Sequence, residues 1–249
     1  MRITFPRVLR SEWTKLVSLR STWWTLAPLA VLVVALAGVI GNGIHRSGGE
    51  LTHASAVSAA FLPVDFAVLV LGVFGVLQMT GEYGTGSIRS TLTAVPRRWP
   101  VVAAKALVQA SLTLPVSVLT CAAAYVACQA FLGEPFALRP VLGAAGSLVL
   151  MGLLGLAVGA LLRHTAAAVT TLVAGLFVVP ALLGPALPGN REEDVLRWVP
   201  AVAGQAMYSV DGTGAPFKMF SPLTSTLVLT AWAVLLLAGG ALVLHRRDA

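Results

Sequence analysis

Residues 141–187 are apolar or small throughout, broken by charge only at Arg163 and His164. A helix rises about 1.5 Å per residue and a bilayer's hydrocarbon core is about 30 Å thick, so this stretch is too long for one crossing. It reads as two membrane spans, about 141–162 and 165–187, joined by a tight turn at 163–164. Further apolar runs at about 22–44, 60–80 and 222–244 each suffice for one crossing. The run at about 100–131 is too long for one upright helix and too short for two. It reads as one tilted helix starting at the interface, with a kink expected near Pro115. The result is an all-α integral membrane fold, a bundle of six transmembrane helices. Composition agrees: 57% of residues are hydrophobic and 11% charged, against roughly 25% charged in a soluble domain.

The net charge of +7 does not point to nucleic acid, because the charges sit at the ends of the apolar runs. With six crossings, twelve of the 17 Lys and Arg residues fall on the side of the N-terminus and five on the other. Lys and Arg accumulate in cytoplasmic loops, which puts both termini in the cytoplasm; the cell (plasma) membrane is the expected location. The first apolar run begins near residue 22 and outlasts the core of a signal peptide, so it is expected to be kept as an anchor.

Ahead of the first span, Phe5, Val8, Leu9, Trp13, Leu16 and Leu19 recur at helical spacing, while Arg7, Arg10, Glu12, Lys15 and Arg20 occupy the remaining faces. The pattern predicts an amphipathic helix within residues 1–21, lying flat in the membrane interface. Residues 22–249 form the six-span domain, with a loop at 81–99 and an external segment at 188–220. Gly152, Gly155 and Gly159 recur on the fourth span, a spacing that lets helices approach closely, here within one chain rather than across a dimer seam.

No catalytic constellation emerges, and the chain reads as no enzyme: catalytic residues, none. GEYGTGS at 81–87 lacks the spacing and the lysine of a phosphate-binding loop, and neither HExxH nor GxSxG occurs. The four histidines are scattered and Cys121 and Cys128 read as small buried hydrophobes, so no metal site is expected. Two charges touch the spans. Lys105, one turn into the third, is expected to extend its ammonium to the lipid phosphates. Asp65, at the outer start of the second, is either a first-turn acid stabilised by unpaired N–H groups or part of a substrate path.

The loop at 81–99 is longer than a connector needs. Glu82 can cap or pair at a helix start, and Thr85-Gly86-Ser87 reads as a turn. Ile88, Leu92 and Val95 follow at helical spacing, predicting a short amphipathic helix that ends at Pro96 and faces a soluble partner.

Three segments, SEWTKLVSLRSTWWTL, GEYGTGSIRSTLTAVPRR and the terminal LHRRDA, together resemble ABC-2 type transporter permeases, the membrane subunits of bacterial efflux systems. The resemblance covers essentially the whole chain, and Glu82, Tyr83, Thr85, Gly86, Ile88 and Arg89 are its most specific part. It implies a type V exporter-like fold that forms the substrate path and is driven by a separate ABC ATPase subunit. It also implies a second permease chain, as homodimer or heterodimer, in membrane lipid. This chain would carry no cofactor, ATP and Mg belonging to the ATPase. Contact with that ATPase is implied for Glu82 to Arg89 of the loop and for Ser11, Glu12, Trp13, Lys15 and Leu16. Short membrane-dipping helices are implied between the fifth and sixth spans. The alternative is a multi-pass immunity or sensory protein without ATPase coupling.

Overall fold

The structure, a computed structural model, describes residues 4–48, 52–87, 99–186, 194–210 and 219–246. Every regular element among them is a helix, and six helical stretches are long and apolar enough to cross a membrane. The first helix, α1 (Phe5–Ser18), begins with Pro6 in its first turn, where a missing N–H costs nothing. It ends at a one-residue corner: Leu19 is extended (φ −73°, ψ 120°), and α2 (Arg20–Ser47) follows at once. Two side chains reach back across that corner. Thr22 Oγ1 donates to the Leu16 carbonyl at 2.8 Å and Trp23 Nε1 to the Val17 carbonyl at 3.0 Å.

The second crossing starts earlier than the apolar run suggests. A short helix α3 (His53–Ala59) is capped by the Thr52 side chain and leads through a turn at Pro63 into α4 (Val64–Gly84). The third, α5 (Trp99–Leu132), passes through Pro115 as one helix. The fourth, α6 (Leu138–Leu162), is the centre of the bundle. Two thirds of its most apolar window is buried, against 17% for the fifth crossing, so the outer helices offer their apolar surface outward.

Glycines explain how α4 and α6 come so close. A Cβ on Gly155 would overlap the Gly72 carbonyl, and one on Gly75 would overlap the Gly152 carbonyl. The small-residue stripe is thus consumed inside the chain, as its spacing predicts.

The turn expected at 163–164 is present. Arg163 adopts the left-handed conformation (φ 58°) usually left to glycine. Its guanidinium donates to the Val243 carbonyl at 2.8 Å and lies over the Tyr83 ring, and these contacts hold the turn open. The fifth crossing comprises α7 (Thr165–Val173), a π-helical turn (Ala174–Val178) and α8 (Val179–Ala186). A short buried helix α9 (Pro200–Ala206) follows and packs on α6 and on α10 (Pro222–Arg246), the sixth crossing.

Candidate functional site

Four charged residues from three helices meet where α1, the end of α4 and the start of α5 come together. The buried stripe of α1 is Val8, Glu12 and Leu16, four residues apart and therefore on one face. Glu12 is thus driven inward between two apolar residues. Lys105 faces it from the second turn of α5, and its Nζ donates to Glu12 Oε2 and to Glu82 Oε1, each at 2.7 Å. Lys15 Nζ closes the ring from the more open side, 2.8 Å from Glu12 Oε1 and 3.1 Å from Glu82 Oε1. Each acid touches both lysines, so the ring carries no net charge.

Three sequence expectations change here. Lys105 does not extend to lipid phosphates: its side chain is 2% exposed and neutralised by carboxylates 93 and 23 residues away. Glu12 does not lie on the polar face of α1 but is 2% exposed in its buried stripe. Glu82 sits in the last turn of α4, not at a helix start. There the helix dipole opposes a negative charge, and the two lysines offset that opposition.

Burial alone pushes the Glu12 carboxyl up, but Lys105 and then Lys15 outweigh it and hold it below the usual glutamate value. Burial likewise pushes Lys15 down, and its bonds to Glu12 and Glu82 more than reverse this, leaving it raised. Taking ions out of water costs several kcal/mol per ion unless geometry and hydrogen bonds repay it. The short bonds around this ring offset part of that cost, while Glu82 Oε2 is buried with no hydrogen-bond partner among the described residues. Beside it lies a cavity of about 500 Å³ whose wall includes Glu12, Lys15, Thr22, Gln78, Glu82 and Ser87.

Of the residues nominated from sequence, Glu12, Lys15 and Glu82 are brought into direct contact, and Leu16 packs beneath them in the buried core. Ser11 and Trp13 face outward on α1. Tyr83 lies under the Arg163 guanidinium, 5.6 Å from Cζ to ring centroid. Thr85 ends α4 by donating to the Gly81 carbonyl at 3.0 Å, and Gly86 turns the chain at φ 71°, a conformation that favours glycine. Ile88, Arg89 and the amphipathic helix expected through Leu92 and Val95 lie outside the described residues.

Asp65 belongs to a second place at the other end of α4. It occupies the first turn, as expected, but its Oδ1 accepts from side chains: Tyr208 Oη at 2.8 Å and Gln205 Nε2 at 3.1 Å. It also lines a cavity of about 430 Å³ between α4, the fifth crossing and α9. Sequence reading missed Gln205 and Tyr208, which lie about 140 residues from Asp65. Their one advance signal was being polar residues in a mostly apolar segment after Pro200. Among the described residues no cluster of three or more His, Cys, Asp or Glu forms a metal site, and Cys121 and Cys128 are buried thiols.

No family model and no curated protein matches the chain.

Proposed function

We propose that the chain is the membrane subunit of an ATP-binding-cassette exporter and that α1 with the end of α4 takes up motion from a separate ATPase. The observation that carries this reading is the ring of Glu12, Lys15, Glu82 and Lys105. It fastens the two segments that the resemblance assigns to ATPase contact onto the root of the third crossing. A displacement of α1 or of the following loop then moves α4 and α5 with it. The six apolar helices supply the path, and different contacts to the two nucleotide states of the ATPase would bias the bundle between conformations.

In this reading the ring is cytoplasmic and Asp65 faces outward along a possible substrate path. The partners are an ABC ATPase and a second permease chain within the cell membrane.

The test is co-expression and co-purification with an ABC ATPase that lacks membrane spans, sought in the neighbouring gene, comparing wild type with Glu82→Ala and Arg89→Ala. Weakened association or uncoupled ATP hydrolysis supports the reading. Undiminished association and transport in both variants reject the contact assignment. Sidedness is tested by Ser87→Cys and Ser47→Cys: a membrane-impermeant thiol reagent on intact cells should label position 47 and spare position 87. The reverse pattern rejects the orientation.

A further inference from the structure

We infer that the Asp65 cavity binds the ammonium group of a long-chain amphiphile, whose tail lies in the adjoining apolar cavity. Four observations support this.

The first is charge. Asp65 is held by two neutral donors, both on Oδ1, and it forms no ion pair among the described residues. A carboxylate at the edge of an apolar bundle is costly without a countercharge, and a cationic ligand at Oδ2 would provide one. The second is the wall. Two aromatic residues, Phe177 and Tyr208, line the same cavity, and aromatic rings attract ammonium groups within about 6 Å of the ring centroid.

The third is room. About 430 Å³ exceeds what an inorganic ion needs and falls within the roughly 300–1,000 Å³ of ligand pockets. A lone carboxylate flanked by a phenol and an amide is also a poor donor set for a metal. The fourth is adjacency. Leu176, in the π-helical turn, lines both this cavity and a second one of about 510 Å³. That second cavity is walled almost wholly by apolar side chains, including Leu154, Leu172, Trp198 and Trp232. A polar head site and an apolar tail site sharing one wall define an amphiphile, and the carboxylate fixes the sign of its head.

The inference deepens the exporter reading by naming a substrate class, and it rests on that reading for transport. Binding can be measured without any ATPase, so the two fail separately. The full chain, purified in nonionic detergent, is titrated with dodecyltrimethylammonium brominated at the tail end. Bromine at contact quenches Trp198 and Trp232. Half-quenching is expected at a concentration at least ten-fold lower than for an equally brominated dodecyl maltoside. Asp65→Asn should abolish that preference, and Trp198→Phe with Trp232→Phe should remove most of the quenching.

Equal quenching of the wild type by the cationic and nonionic probes overturns the inference, and this comparison needs no variant to fold. Repeating the titration in nanodiscs separates the two sources of such a head group. Suppression by phosphatidylethanolamine but not by phosphatidylglycerol assigns the site to a lipid ammonium. Equal quenching in both lipids assigns it to a soluble amphiphilic amine. Either supports the site.

Discussion

The two ends of α4 treat a carboxylate in opposite ways. At one end Glu82 shares two lysines with Glu12 in a closed ring. At the other, seventeen residues and about 25 Å of helix away, Asp65 is steadied, among the described residues, by a phenol and an amide. Opposite charges at contact distance satisfy each other and resist change. Neutral donors orient a charge without cancelling it. The first arrangement suits a rigid fastening and the second suits recognition, and one helix joins them.

The comparison breaks most visibly at Lys105. Lys105→Met leaves the buried Glu12 and the partly buried Glu82 with only Lys15 between them, and removing one partner of a buried pair costs about 3–5 kcal/mol. A large drop in thermal midpoint and in folded yield is expected. Adding Glu12→Gln and Glu82→Gln to the same chain should recover much of it, since an uncharged set no longer requires a counterion. If Asp65→Asn destabilises the protein as much as Lys105→Met, the two ends are not different in kind.

Next in size is the seam between them. Gly155→Ala forces α6 away from the Gly72 carbonyl, a mismatch expected to cost about 1–3 kcal/mol or more. Because α4 carries both acids, this variant should disturb both ends at once, read as a lower thermal midpoint together with weakened binding of the brominated probe. Tyr208→Phe removes one hydrogen bond to a carboxylate, worth about 1.5–3 kcal/mol where fully desolvated and less here, because Gln205 remains. Its thermal shift should be smaller than that of Gly155→Ala.

Acid sharpens the contrast further. The folded state holds Glu12 below the usual glutamate value. Its contribution is therefore complete above about pH 4 to 5 and is lost as pH falls through the lowered value. Lys15 is raised, so its contribution is present at neutral pH and lost only in strong alkali, as pH rises through the raised value. Between pH 7 and 3, the thermal midpoint should fall more in wild type than in Glu12→Gln. The smallest effect is expected from Lys15→Met. Its side chain is 42% exposed and the pair is screened by solvent, so about 0–1 kcal/mol is at stake.

The six crossings were legible because each is a long apolar run, and length against bilayer thickness is a strict criterion. The turn at 163–164 was legible from two charged residues, although its left-handed Arg163 was not. That conformation depends on the Val243 carbonyl and the Tyr83 ring, which no local pattern announces. The π-helical turn and the α3 extension of the second crossing were likewise invisible to periodicity.

The ring was half legible. Glu12, Lys15 and Glu82 stood out as charged residues in patterned segments. Their meeting did not, because helical periodicity sorts residues into polar and apolar faces and assigns a lone Glu to the polar one. Val8 and Leu16 carry Glu12 inward regardless, once Lys105 waits on the facing helix. Asp65 stood out as an ionisable residue within an apolar run, but its two donors come from a segment that sequence could not place.

The corner at Leu19 fixes a length as well as an angle. Glu12 reaches Lys105 only because a set number of residues separates it from the start of α2, and Thr22 and Trp23 prevent the joint from taking up slack. One residue added between Glu12 and Leu19 would turn Glu12 by about 100° around the axis of α1 and aim it away from its partner. Point substitutions on the outer face of α1 leave that distance intact. Insertions and deletions do not, so the segment works as a ruler whose tolerance is less than a single amino acid.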